Sequence, residues 1–106
     1  MPQTNEEQLA ALHEQLETVR AEWAASLAMP DPDTPVDWFA YFTRRAELHE
    51  AMHGLYEQMW ELVPSTSLLW RAVCDARRAH ELDAERSREL AAVWAVPAEQ
   101  GPAVTA

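Results

Sequence analysis

Among four histidines and thirteen glutamates, one grouping has chemical content: His49-Glu50-Ala51-Met52-His53. On a helix, an H-E-x-x-H spacing places two imidazoles one turn apart on one face. Both can ligate zinc there, and the glutamate can activate a metal-bound water. His49 and His53 are therefore candidate ligands and Glu50 the candidate base. His80 and Glu81, 27 and 28 residues beyond His53, are candidates for the third ligand. The chain also repeats a His-Glu pair in each of its three apolar-periodic segments: His13-Glu14, His49-Glu50 and His80-Glu81. Heights counted at about 1.5 Å per residue bring His13, His49 and His80 to one layer of an up-down-up bundle.

The five motif residues resemble the active-site helix of the zincin metallopeptidases. That resemblance implies a zinc-dependent hydrolase, which also needs an edge strand beside the helix to bind substrate, and no alternating strand pattern occurs in the chain. Glu50-x-x-His53 likewise resembles the E-x-x-H half-motif of ferritin-like di-iron bundles, which a two-fold dimer would complete. Such a site needs another inward glutamate. Glu22 lies off the first-helix seam, and Glu50 falls nearly opposite the central helix's apolar stripe. The plainer reading of the histidines is a polar layer bonded to carboxylates or backbone, and it is the one favoured.

Three long helices position these residues. Asn5 reads as the N-cap of the first, over about 5–28, with Leu9, Leu12, Leu16, Val19 and Trp23 at alternating spacings of three and four and Leu27 extending them. Thr34-Pro35 and Asp37 start the second, over 35–63, and Pro64 stops it. Its core stripe is Tyr41, Leu48, Met52, Leu55, Met59 and Leu62. About 90° away runs a band of Trp38, Phe42, His49, His53, Tyr56 and Trp60, so the helix needs neighbours on two sides. Glu47, Glu50, Gly54, Glu57 and Glu61 form its solvated face. The third helix, over 66–95, carries Leu68, Leu69, Ala72, Val73, Ala76, Ala79, Leu90, Ala91 and Trp94 on one broad face and is polar between Asp83 and Ser87. The connection Met29–Pro35, with three prolines, fits an antiparallel turn. Residues 97–106 are expected to be a disordered tail. The expected fold is an all-α antiparallel three-helix bundle, a single domain over 1–96, completed by oligomerisation.

Composition bounds the function. A chain of 106 residues holds one modest core, which favours self-association, as a homodimer. Its net charge is −10, and it is uneven. Residues 1–63 carry twelve acids against three arginines, net −9, whereas residues 64–106 carry six acids against five arginines, net −1. That surface repels nucleic acid and anionic membranes and attracts basic proteins. Neither a signal peptide nor a membrane span is read, so the expected location is cytoplasmic. Cys74, the single cysteine, reads as core filler. The leading reading is a non-enzymatic interaction or regulatory module without a cofactor, binding a protein partner through its acidic surface and through Trp38, Phe39, Phe42, Tyr56 and Trp60. The alternative is the zinc-dependent hydrolase or metal-binding protein.

Overall fold

The computed structural model describes residues 2–105, with side chains through Ala95. It is all-α: α1 (Asn5–Leu27), α2 (Pro35–Leu62) and α3 (Leu68–Thr105), with no strand among the described residues. The backbone of α3 continues to Thr105, through the stretch over 97–106 expected to be a disordered tail after a helix end at 95.

Local chemistry explains each helix end. Thr4, rather than Asn5, is the N-cap of α1, because Thr4-Asn5-Glu6-Glu7 is a capping box sequence. The Thr4 hydroxyl oxygen accepts from the Glu7 N–H at 3.1 Å. Thr34 caps α2 in the same way, accepting from the Asp37 N–H at 3.1 Å with Pro35 following. Val63 is extended (ψ 133°), as the residue before a proline should be, and ends α2. Ser67 accepts from the Trp70 N–H at 3.1 Å and opens α3.

Helix α2 is the centre of the molecule. One buried cluster joins Leu12 and Leu16 of α1, Leu48, Met52, Leu55, Tyr56 and Met59 of α2, and Val73 of α3. Leu48 and Met52 are each only 2% exposed, and burying each such side chain is worth about 1.5–3 kcal/mol. Both apolar arcs of α2 are therefore used. Antiparallel order follows from the pairs at each end. The Trp38 and Trp94 rings stack at 5.7 Å at one end of the α2–α3 contact, and Trp60 meets Trp70 at 6.1 Å at the other. Between α1 and α2, the Asn5 amide donates to the Leu62 carbonyl and Arg44 pairs with Glu22.

The backbones of the outer helices approach only that of α2. No Cα of α1 comes within 8 Å of one in α3 among the described residues. With a single neighbour, α3 buries a narrow stripe, Val73, Ala84, Ser87 and Ala91. The broad face read from its sequence is split: Ala76, Leu90 and Trp94 are half-buried, while Leu68, Leu69, Ala72 and Ala79 are exposed. Leu27, read as part of the α1 seam, is 55% exposed.

Candidate functional site

The α2–α3 register sets His49 against His80. Their Nδ1 atoms lie 3.0 Å apart, the rings being 5.2 Å centroid to centroid. Asp83, one turn beyond His80 on the same face of α3, completes a group whose donor atoms all lie within 4.8 Å of one another. His49 is buried, His80 half-buried and Asp83 exposed.

Aromatic rings and arginines hold this pair. Trp23 of α1 packs on His49 with ring centroids 4.6 Å apart, and Tyr56 stacks on His80 at 5.5 Å. The Arg45 guanidinium covers the Trp23 ring at 4.7 Å and donates to the Tyr41 hydroxyl at 2.8 Å. Arg20 of α1 donates to the Tyr56 hydroxyl at 2.7 Å. The side chains of α1 thus reach the pair although its backbone does not reach α3. A cavity of about 200 Å³ opens beside His49 and Asp83, bounded by Trp23, Phe42, Arg45 and Arg86.

Burial pushes the His49 imidazole below its ordinary pKa; Asp83 opposes the shift and Arg45 adds to it. Burial likewise lowers His80, helped by His49, Arg20 and His53 and opposed by Asp83. Both shifts favour the neutral ring. Two neutral imidazoles 3.0 Å apart have two chemical options: one Nδ1–H donates to the other Nδ1, or both lone pairs face a shared cation.

The H-E-x-x-H residues are separated by this arrangement. Glu50 is exposed, and its carboxylate accepts two hydrogen bonds from Arg88, at 2.9 and 3.0 Å. That pair holds the Glu50 carboxyl below its usual range. His53 is half-buried and lies with Glu50, Glu81 and Glu85 along a different cleft from the one beside His49. Glu81 is bound by Arg78 at 2.8 Å. Neither His53 nor Glu81 belongs to the three-residue group, and the motif's glutamate faces an arginine instead of the histidine pair. His13 is exposed on α1 and takes no part.

Of the aromatics read as a binding surface, Phe39 alone is exposed, at 40%. Tyr56 is buried, and Trp38, Phe42 and Trp60 are half-buried. Trp38 stacks on Phe42 and Trp94, and the Arg77 guanidinium lies 4.6 Å over the Trp60 ring. Cys74 is half-buried and free.

Asp83 is the functional candidate that the sequence reading passed over as part of a polar segment. The signal was available in His80-x-x-Asp83, since an i,i+3 spacing puts an imidazole and a carboxylate side by side. Comparison with family models, with curated proteins and with solved structures finds no match for this chain.

Proposed function

We propose that this chain is a non-enzymatic helical interaction module, pairing with a second copy of itself through α3 and offering the acidic surface of α1 and α2 to a basic protein partner. The observation that carries the reading is a seam on the outer side of α3. Leu68, Ala72, Asp75, Ala79, Leu82, Arg86, Glu89 and Val93 follow alternating steps of four and three, the spacing of a coiled-coil contact, and all eight are exposed. Leu68 is 88% exposed and Val93 62%. Such a stripe uses one face of a helix whose other face already packs on α2.

The seam is self-complementary in the antiparallel sense. Turned about a two-fold axis through the middle of the seam, between residues 80 and 81, Leu68 meets Val93 of the second copy, Ala72 meets Glu89, Asp75 meets Arg86, and Ala79 meets Leu82. Two ion pairs of opposite charge then flank an apolar centre, with alanines that let the helices approach closely. Charge favours α3 for this contact over the rest of the chain. Residues 68–95 carry five acids and five arginines, whereas residues 1–63 are net −9 and would repel a copy of themselves.

Pairing through α3 leaves that acidic half free. A positive partner surface is drawn to it, and salt weakens the attraction. The separation of Glu50 from the histidine pair supports the non-enzymatic side of the reading.

Light scattering tests the self-contact. Wild type is expected at twice the 12.0 kDa chain mass, and Leu82→Glu at the single-chain mass, with its helical circular dichroism intact. A single-chain mass for wild type at every accessible concentration would overturn the proposal, as would a Leu82→Glu dimer.

A further inference from the structure

The geometry points to a divalent transition-metal site of the zinc type formed by His49 Nδ1, His80 Nδ1 and the Asp83 carboxylate. It does not rest on the self-association reading: its ligands His49, His80 and Asp83 are not seam residues, although Arg86 of the seam also borders the cavity beside them. Two imidazoles and one carboxylate are a donor set suited to zinc and to its neighbours in the first transition row. Tetrahedral zinc with Zn–N near 2.0–2.1 Å separates two ligand nitrogens by about 3.3 Å. The observed 3.0 Å is within a few tenths of that separation. The carboxylate starts farther away, inside the 4.8 Å limit of the group. Asp83 is exposed, so its side chain can turn toward the nitrogens without repacking.

The fixed parts of the site are the ones that would be costly to arrange. His49 is held by the Trp23 ring and His80 by the Tyr56 ring, from two different helices. Their Nδ1 atoms face each other across the α2–α3 seam. Zinc sites that keep three protein ligands leave a fourth position for water, and the cavity beside His49 and Asp83 gives water access to it. Arg45, Arg20 and Arg86 surround the group and oppose a cation. Asp83 offsets them, so its loss should weaken binding without harming the fold. His53 and Glu81 take no part in this site, which separates it from a zincin-type centre built on the H-E-x-x-H.

The test is a titration of chelator-stripped full-length protein with Zn²⁺ against a chromophoric chelator, and with Co²⁺ followed by visible absorption. The inference expects one ion per chain and a four-coordinate Co²⁺ spectrum. Binding should weaken at least tenfold in Asp83→Asn and fall to background in His80→Ala, and it should be unchanged in His53→Ala. Circular dichroism checks the fold of each variant. Asp83→Asn keeps the question open to a clear answer if removal of a packed histidine unfolds the chain. No bound ion, unchanged affinity in Asp83→Asn, or loss of binding in His53→Ala would each overturn the inference.

Discussion

At the scale of single residues, the decisive fact is which way the histidines and Glu50 point. The H-E-x-x-H was legible as a spacing, and the level of His49 with His80 followed from counting residues back and forward from the turn at Pro64. Their partners were not legible. Whether Glu50 faces a metal or an arginine depends on Arg88, 38 residues away, and no local pattern fixes that azimuth. Glu50 and Arg88 are each about half exposed, and surface pairs of this kind are worth about 0–1 kcal/mol. Glu50→Gln is therefore expected to change the urea unfolding free energy by less than about 1 kcal/mol. A larger loss would mean that the carboxylate does something the Arg88 pair does not account for. The histidine pair sets a pH dependence. His49 and His80 have folded pKa values below the ordinary value of about 6.5. Above that value both folded and unfolded chains hold the rings neutral, and their contribution is complete. As pH falls below about 6.5 the unfolded chain takes up protons that the folded one refuses, so stability declines toward the lower folded pKa values. The groups facing the pair, Asp83 on one side and Arg20, Arg45 and His53 on the other, set how far the decline extends. In metal-free buffer the urea midpoint should drop between about pH 7.5 and pH 5.5, above the range where most carboxylates titrate. A flat profile across that interval would contradict the account.

At the scale of helices, periodicity was a good guide to existence and a partial guide to packing. Leu12, Leu16, Leu48, Met52, Leu55 and Met59 were all read as inward, and all are buried. Two things were not visible in periodicity alone. The first was the single-sided burial of α3, because an apolar face does not announce how many neighbours it has. The second was the α1–α2 register. The proline-rich connection runs along the first turns of α2, where Met29, Pro30 and Pro32 share a cleft with Asp37, Tyr41 and Arg44. An extended connection of that kind slides α1 along α2 relative to a tight turn, and Trp23 rather than His13 arrives at the level of His49. Gly54, inside α2, offers a direct test of how the helix is built. A Cβ placed there meets nothing within 4 Å, and the residue has no positive φ. Gly54→Ala should raise the unfolding free energy by about 0.5–1 kcal/mol, from the lower backbone entropy of the unfolded chain. Destabilisation on that substitution would mean that another surface comes close to this face of α2.

At the scale of the whole molecule, three helices with a common centre in α2 form a body with extents of 64 × 25 × 23 Å. Its charge is divided between an acidic half in α1 and α2 and a balanced α3. The division was plain in the sequence. The eight-residue outer seam was not, because Leu68, Ala72 and Ala79 read as part of the broad inward face until α2 was seen to occupy only one side of α3. No helix is long and apolar enough to cross a membrane among the described residues, and the exposed leucines and valine of α3 form the face proposed for self-contact. The central claim is that the contact is α3 against its own copy in antiparallel register, with Asp75 facing Arg86. Sedimentation equilibrium of Asp75→Arg, Arg86→Asp and the double variant tests it most directly. The account predicts that each single reversal weakens the dimer, by bringing like charges together twice across the two-fold axis, and that the double reversal restores it. Single variants that associate as tightly as wild type, or a double variant no tighter than either single one, would contradict it.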